Sequence, residues 1–383
     1  MRSAGPPQAS TAPPGGSALH EVKSVGVSDL RAGPPQASTA PPGGSALREV
    51  KSVGARHPRD VLLGAQAATV FLPVCDHYSG VEARMRKSLQ LQADMMEEFG
   101  ACVFDVTLDC EDGAPVGGEA EHAAMVVALA LLTRDQARVA VRVHAVDHPA
   151  FEADMAMIAG RLSRKLSHIM IPKVESLADV LRAEQALHAA RADNLPLHVL
   201  IESPAAVHRA FEIAAHPRVQ SLSFGLMDFV SAHGGAIPVG AMGSQGQFSH
   251  PLVVRAKLEI ASACHANGKV PSHCVVTEFN DAEAMKLAAR HAARKMGYTR
   301  MWSIHPNQIR PILEAFAPTE GEIEDATEII AAGARSDWAP ISFDGKLHDR
   351  ASYRYFWQVL ERGHQTGRTL PAEAQIFFQP APH

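Results

Sequence analysis

Short apolar runs recur along most of the chain and alternate with stretches of helical spacing. Stretches 80–100, 176–193 and 281–297 have the Ala, Leu, Glu and Arg content of amphipathic helices. Continuous apolar strands that alternate with helices predict a parallel sheet built from βαβ units. The eight apolar runs are ATVFLPV (68–74), ACVFDVTL (101–108), RVAVRVH (138–144), HIMIPKV (168–174), LHVLI (197–201), VQSLSFG (219–225), HCVV (273–276) and RMWSI (300–304).

Eight such units over about 240 residues fit a closed (β/α)8 TIM barrel in length and in strand count. An open, doubly wound α/β sheet is the alternative architecture. No glycine-rich GxGxxG turn follows the first run, which disfavours the dinucleotide-binding version of that sheet. We therefore expect an α/β fold of the TIM-barrel type.

The two ends of the chain differ from this repeating part. Residues 4–26 recur almost unchanged at 32–54 and are rich in Pro, Gly and Ser, so we expect a disordered tail in 1–60. The barrel is then expected in 61–318. Residues 319–383 contain two further stretches of helical pattern, which predict a helical extension that serves as a lid or an oligomer contact.

Composition narrows the classes of partner. The net charge is −5 and Lys and Arg are scattered, which argues against nucleic acid or an anionic membrane. No apolar stretch approaches the roughly 18 residues that a membrane span requires. The five cysteines form no close-set CxxC pair and three lie in apolar runs, which favours reduced thiols in a cytoplasmic protein.

Acidic residues follow the fifth and sixth runs, where each strand should end. Glu202 comes directly after LHVLI, with Ser203 placed to cap the next helix and Pro204 placed to open it. Asp228 lies within a turn of Gly225. Since the strand C-termini form the reactive face of such barrels, the two carboxylates could share a Mg²⁺ ion that keeps several waters. A solvated loop acid and an ordinary helix-start acid are the alternatives.

Arg142 lies inside the apolar run RVAVRVH, where an unpaired charge is costly. At the barrel mouth it could grip a carboxylate or stabilise an enolate. The alternative is a structural ion pair with Asp109 or Glu111. Those two acids and Asp112 end the second run, and they predict either a surface loop or a site that handles a cation or a proton.

Other residues at strand ends carry weaker signals. Asp76 and His77 follow the first run, and Gly225 would let a small anion approach the backbone amides. Lys173 could form a Schiff base, although a salt bridge is the preferred interpretation. His305 precedes a proline, so it indicates a helix start as readily as a catalytic group.

Taken together, the motifs resemble those of the citrate lyase beta-subunit family, which includes malyl-CoA and citramalyl-CoA lyases. The resemblance spans about residues 68–365. The stretches that carry it, each with the family's version, are LDCEDGA (108–114; LDLEDAV), VRVH (141–144; VRVN), IPKVES (171–176; LPKVES), LIES (200–203; LIET), SFGLMDF (223–229; AFGTEDL) and SIHPNQI (303–309; CIHPAQV).

The resemblance implies a TIM barrel that binds Mg²⁺, with Mn²⁺ as the alternative ion, and that assembles as a homotrimer or as a hexamer built from two trimers. It implies that Glu202 and Asp228 are the metal carboxylates and that Arg142 grips the substrate. Glu111 and Asp112 match acids that organise the water shell of the metal. The family's general acid/base matches Asp349, which would be delivered across a subunit boundary. The expected substrate contacts are Arg142, Gly225, Leu226, Met227 and His305.

The implied reaction is the reversible Claisen or aldol cleavage of a 3-hydroxyacyl thioester to a 2-oxo acid and an acyl thioester. Two departures from the family leave CoA open as the carrier. LPVCDHYSGVEAR (72–84) stands where a VPGDRPER-like loop helps to hold CoA, and Met227 replaces an acid. A metal-dependent aldolase on free 2-oxo acids and a non-catalytic oxo-acid-binding protein are the alternatives.

Overall fold

The computed structural model describes residues 57–64 and 71–379 of the chain, and in it eight parallel strands close into a barrel. Strands consecutive in sequence are neighbours in the sheet, and β1 closes on β8 with Cys75 opposite Met301. The predicted (β/α)8 TIM barrel is therefore confirmed. The strands are β1 (Cys75–Ser79), β2 (Phe104–Asp109), β3 (Val139–Arg142), β4 (Leu166–Ile171), β5 (Leu197–Ile201), β6 (Val219–Phe224), β7 (Val270–His273) and β8 (Arg300–Ser303).

Helices connect the strands and cover the outside of the barrel. A π-helical segment, Met155–Ala159, joins α4 to α5, and 3₁₀ turns span Val239–Met242, Gly246–Phe248 and Pro306–Gln308. None of the helices in the described ranges is long and apolar enough to cross a bilayer. The helices up to the last strand connection are α1 (Pro58–Leu63), α2 (Glu82–Phe99), α3 (Glu119–Leu131), α4 (Phe151–Asp154), α5 (Gly160–Leu162), α6 (Leu177–Ala189), α7 (Pro204–His208), α8 (Ala210–Ala215), α9 (Leu226–Ser231), α10 (Pro251–Ala266), α11 (Ala282–Lys295) and α12 (Ile309–Phe316).

The two faces of the sheet bury different kinds of side chain. In β5 the alternate residues Leu197, Val199 and Ile201 belong to the main core between sheet and helices. Since side chains alternate along a strand, His198 and Leu200 face the barrel interior. The strand is buried on both faces, which is why the sequence there is almost continuously apolar.

The first strand is displaced from its predicted position. The sequence placed it at 68–74, whereas β1 begins at Cys75 and ends at Ser79. Asp76 therefore lies inside the barrel, where its Oδ1 accepts a hydrogen bond from Thr107 Oγ1 at 2.7 Å. His77 faces outward, and its ring nitrogens lie 3.0 Å from hydroxyls on α2 and β8. The two residues are thus parts of a strand, and not of a ligand-holding loop.

Buried charge explains that misplacement. Arg300 of β8 lies 2.6 Å from Asp105 and 2.9 Å from Asp76, so paired charges occupy the lower barrel interior. A strand that carries buried charged residues has no continuous apolar run, so the hydrophobic pattern of the sequence indicates a loop there. The seventh strand is displaced in the opposite direction, because it lies at Val270–His273 and was predicted at 273–276.

The C-terminal extension is helical, as predicted, and has its own small core. It consists of α13 (Glu320–Arg335), a hairpin of β9 (Ile341–Phe343) and β10 (Lys346–His348), α14 (Arg350–Gln365) and α15 (Ala372–Gln375). Leu62 of α1 packs with Trp357 in this core, so the predicted boundary at residue 60 falls inside a helix of the folded part. The tail was predicted to be disordered over residues 1–60. Of these, residues 1–56 lie outside the described ranges, so the disorder stays a prediction there.

Candidate active site

Asp109 ends β2 and organises the acidic loop that follows it. Its carboxylate accepts hydrogen bonds from the backbone amides of Glu111, at 3.0 Å, and Gly113, at 2.6 Å. Burial would raise the pKa of Asp109, but the charge and hydrogen bonds of Arg142 hold it below its ordinary value. The acidic cluster is therefore a turn built around one buried, ionised carboxylate.

Arg142 lies opposite Asp109 on the adjacent strand and binds it through two nitrogens. Nε donates to Oδ1 at 2.6 Å, and Nη2 donates to Oδ2 at 2.9 Å. Nη2 also lies 3.4 Å from a carboxylate oxygen of Glu111. The ion pairs that the sequence left as an alternative are thus present. Within the described chain Nη1 makes no hydrogen bond, so one edge of the guanidinium stays available at the barrel mouth.

Tyr78 completes this group, and the sequence interpretation missed it. Its hydroxyl donates to Asp109 Oδ2 at 2.7 Å and also contacts Arg142 Nη2. The guanidinium lies 4.6 Å from the centre of the Tyr78 ring, which stacks on Trp302 at 5.6 Å. Had the first strand been extended to Ser79, the alternation of side chains would have placed Tyr78 on the interior face.

Lys173 binds the two acids that follow Asp109. Its Nζ contacts the Glu111 carboxylate and lies 3.2 Å from both carboxylate oxygens of Asp112. Burial would lower the pKa of Lys173, but the hydrogen bonds and charges of Glu111 and Asp112 raise it above its ordinary value. Because a Schiff base requires a neutral amine, the preferred interpretation of Lys173 as a salt-bridge partner agrees with this geometry.

Glu202 lies at the joint between β5 and α7, as the sequence predicted. Ser203 Oγ accepts the amide of Ala206 at 3.0 Å, and Pro204 is the first residue of the helix. Glu202 is only 6% exposed, and its Oε2 is buried without a hydrogen-bond partner among the described residues. Burial, and after it the charge of Asp228, raises the pKa of Glu202 to about 8.

Asp228 lies in the first turn of α9, and its charge acts on the Glu202 carboxylate. A buried carboxylate oxygen without a partner, beside a second carboxylate, is an arrangement that a hard divalent cation neutralises. These two residues therefore fit Mg²⁺. Arg142, Glu111 and Lys173 also act on the pKa of Glu202, so the predicted groups form one electrostatic unit.

Gly225 makes room for Glu202. A Cβ at position 225 would lie 2.4 Å from Cγ of Glu202, and the amide of Gly225 already donates to the Ile201 carbonyl at 3.0 Å. The Gly225 amide is therefore not free to bind an anion, and approach of an anion to the other backbone amides of this turn stays a prediction. Leu226 is 2% exposed within the core, so only its backbone can reach a ligand, whereas Met227 is 40% exposed.

A second buried set of metal-ligating residue types lies deeper in the barrel. Asp76, His168 and His198 each have one potential ligand atom within 4.8 Å of those of the other two. The two imidazole rings, however, are stacked 3.5 Å apart and only 15° from parallel. Ring nitrogens coordinate in the plane of the ring, so two parallel rings at this spacing cannot both aim at one ion. We interpret this set as interior packing.

Two expected site residues lie at helix starts. His305 Nδ1 accepts the amide of Asn307 at 3.2 Å, and its ring stacks on Phe279 at 4.9 Å. Asp349 is the N-cap of α14 and accepts the amides of Ala351 at 2.9 Å and Ser352 at 3.3 Å. Asp349 is exposed, and in this single chain its hydrogen bonds all lie within its own helix start. Its delivery to a neighbouring subunit stays a prediction.

Known proteins resemble the chain in sequence and in structure. Residues 88–306 match the family model described as HpcH/HpaI aldolase/citrate lyase. An L-malyl-CoA/beta-methylmalyl-CoA lyase of Cereibacter sphaeroides is 32% identical over 282 residues, covering 68% of this chain and 87% of that protein. A citrate lyase subunit beta-like protein of Deinococcus radiodurans is also 32% identical, covering 67% of this chain and 89% of the relative.

Solved structures extend the comparison. A citrate lyase from Burkholderia xenovorans LB400 is 47% identical, with a TM-score of 0.70 over 84% of this chain and 99% of that one. A Mycobacterium tuberculosis protein, solved with magnesium, acetoacetate and coenzyme A, shares the fold at 22% identity, with a TM-score of 0.56 over 76% of this chain and 98% of that one. The resemblance drawn from the strand-end motifs is confirmed, and the chain belongs to the HpcH/HpaI aldolase/citrate lyase family.

Proposed function

We propose that this protein is a Mg²⁺-dependent carbon–carbon lyase that cleaves a 3-hydroxyacyl thioester, of the malyl-CoA or citramalyl-CoA type, to a 2-oxo acid and an acyl thioester. The observation that carries the proposal is the buried Oε2 of Glu202, which has no hydrogen-bond partner among the described residues and is acted on by the charges of Asp228 and Arg142. Such a pair fits a divalent cation and leaves coordination positions for a chelating substrate.

Each residue has a part in this proposal. Glu202 and Asp228 would hold the cation, which when bound would neutralise negative charge on the 2-oxo acid portion. Arg142 presents Nη1 to the enolate oxygen of the acyl portion, because Asp109 already occupies its other edge.

Acidic residues other than Glu202 and Asp228 also act in the proposed reaction. Lys173 fixes Glu111 and Asp112, so that their carboxylates can accept hydrogen bonds from metal-bound waters. We propose that Asp349 of a neighbouring subunit supplies the proton at carbon, in an oligomer that the family resemblance implies to be a homotrimer or a hexamer.

The relatives support the thioester version of the reaction. The Cereibacter protein is named for two CoA thioesters, and the fold of the Mycobacterium neighbour accommodates magnesium and coenzyme A. One observation favours a metal-dependent aldolase on free acids as the second candidate. The connection from β1 to α2 is two residues long, Gly80 and Val81, which leaves little chain for a carrier-binding loop there.

A substrate panel tests the proposal. The full chain would be incubated with Mg²⁺ and malyl-, citramalyl- and related hydroxyacyl-CoAs, and in parallel with the matching free acids. Metal-dependent release of glyoxylate or pyruvate from a thioester supports the lyase. Release from free acids alone replaces it with the aldolase. Mg²⁺ binding without turnover of either set would indicate a non-catalytic oxo-acid-binding protein.

A further inference from the structure

A cavity of about 470 Å³ lies beside the acidic loop, between the segments that follow β2 and β3. Glu111 lines this cavity and also lies 3.4 Å from Arg142 Nη2, so the cavity shares a wall with the proposed site. His144, two residues after Arg142, lines it as well. Neither His144 nor the cavity has a part in the function proposed above.

His144 is held in one orientation by Asp154. Its Nδ1 lies 2.6 Å from Asp154 Oδ2, and the same oxygen accepts the backbone amide of His144 at 3.1 Å. Asp154 is 2% exposed. Because a carboxylate can only accept, Nδ1 carries the proton and Nε2 is the basic nitrogen of the neutral ring. Within the described chain Nε2 makes no hydrogen bond.

A second imidazole, that of His148, covers one face of the His144 ring. The exposed ring of His148 stacks on His144 at 4.2 Å, with the ring planes 12° apart. His144 itself lines the cavity, which opens to solvent, so a proton taken up at His144 can leave through it. Besides Asp154 and His148, the titratable groups that face the cavity are Cys110, Glu111, Asp112, Glu119, Asp147 and Lys173.

We propose that His144, oriented by Asp154, is the group that removes the hydroxyl proton of the substrate during C–C cleavage. This inference rests on the proposed lyase function and adds to it a base from the same chain. Asp154 acts as a positioning residue, because it fixes the tautomer and the plane of the ring.

The step balances as follows in the cleavage direction. The substrate O–H bond breaks and its proton bonds to His144 Nε2. The electron pair left on oxygen forms the C=O bond of the 2-oxo acid while the C–C bond breaks. That bond's electron pair moves into the acyl thioester as an enolate, which takes a proton at carbon from the protonated carboxyl of Asp349 of a neighbouring subunit. Asp349 then regains a proton from solvent. The His144 imidazolium then loses its proton to solvent.

The chain offers a matched variant. The motif VRVH ends in His144 where the related motif has Asn, so His144→Asn keeps a polar side chain that can donate to Asp154 but cannot take up a proton. We expect kcat to fall by roughly 10²- to 10⁴-fold with KM nearly unchanged. The acid limb of the wild-type kcat/KM profile should disappear in this variant. The thermal shift on adding Mg²⁺ should stay, since Glu202 and Asp228 are intact.

Two further measurements distinguish a failure of the inference about His144 from a failure of the proposed lyase function. Exchange of the α-hydrogens of the acyl-thioester product with D₂O belongs to the carbon step, so His144→Asn should retain it. Asp154→Asn should move the acid limb of the profile and alter the ¹⁵N signals of the His144 ring. Unchanged kcat and an unchanged pH profile in His144→Asn overturn the inference alone. Absence of Mg²⁺-dependent release by wild type overturns both this inference and the proposed function.

Discussion

Asp109 and Arg142 face each other across β2 and β3 and are joined by two hydrogen bonds, at 2.6 and 2.9 Å. The pairing fixes the guanidinium plane, because two parallel bonds define an orientation that one bond cannot. It also satisfies a buried charge that would otherwise be costly in a strand. The same arginine can therefore be structural along one edge and available to a ligand along the other.

Tyr78→Phe tests whether the Asp109–Arg142 pair depends on the hydroxyl of Tyr78. The variant removes the hydroxyl between Asp109 and Arg142 but keeps the ring that stacks on Trp302. A hydrogen bond to charged groups contributes about 1.5–3 kcal/mol, so we expect kcat to fall roughly ten- to a hundredfold. Steady-state kinetics with the best thioester measure it. Tyr355→Phe, at a half-exposed position, is the control, and equal kcat values for the two variants would contradict the assignment.

Gly225→Ala tests the close approach of Gly225 to Glu202. The added methyl would lie 2.4 Å from Glu202 Cγ, so that side chain must move. Overpacking of this kind costs about 1–3 kcal/mol, which corresponds to a roughly ten- to a hundredfold loss of Mg²⁺ affinity if the strain falls on Glu202. Calorimetric titration with Mg²⁺ measures the affinity.

The control for this variant is Gly321→Ala, in α13, where a Cβ meets open space. We expect that change to stabilise the protein slightly and to leave Mg²⁺ affinity unaltered. Wild-type affinity in Gly225→Ala would show that Glu202 is not held where the structure has it.

The sequence predicted those parts of the fold in which apolarity alone decides. LHVLI matches β5 residue for residue, because that strand packs apolar side chains on its outer face and only one polar residue, His198, on its inner face. The first strand was misplaced because Asp76 and Tyr78 face a polar barrel interior that no hydropathy pattern reports.

The candidate site, like the fold, could be predicted only in part from the sequence. Glu202 and Asp228 were found because charged residues directly after buried strands stand out. The partners of Arg142 and the function of Gly225 depend on contacts across strands, which the spacing within one strand does not contain.

Two buried histidines should make the protein sensitive to acid. His168 and His198 are fully buried, and burial lowers the pKa of both, that of His198 to about 3. In the unfolded chain each takes up a proton near pH 6.5. The contribution of these residues to stability is therefore fully present above pH 6.5 and is lost as pH falls below it, down to about 3 for His198, by up to about 1.4 kcal/mol per pH unit for each histidine.

Urea unfolding at pH 7.5, 6.0 and 5.0 measures that slope. His198→Gln should show a smaller decrease of unfolding free energy with falling pH than wild type, whatever its stability at pH 7.5. His188→Gln, at an exposed position on α6, should keep the wild-type slope. Equal slopes for wild type and His198→Gln would refute this explanation.

Asp349→Asn separates the chemistry of Asp349 from its structural role. Asn is as good an N-cap as Asp, so the start of α14 should be preserved and the unfolding free energy should change by less than about 0.5 kcal/mol. Asn cannot exchange a proton, so kcat should fall by roughly 10²- to 10⁴-fold while Mg²⁺ binding stays. Thermal unfolding and product release measure the two effects, and full activity of the variant would exclude Asp349 as the acid.

The most direct measurement is the rate of 2-oxo acid release from a hydroxyacyl thioester as a function of Mg²⁺ concentration. Wild type, Glu202→Gln and Glu212→Gln would be compared, the last having its change at an exposed position on α8. We expect saturable dependence on Mg²⁺ in wild type and Glu212→Gln, and no dependence in Glu202→Gln. Release that needs no divalent cation, or that Glu202→Gln retains, would contradict it.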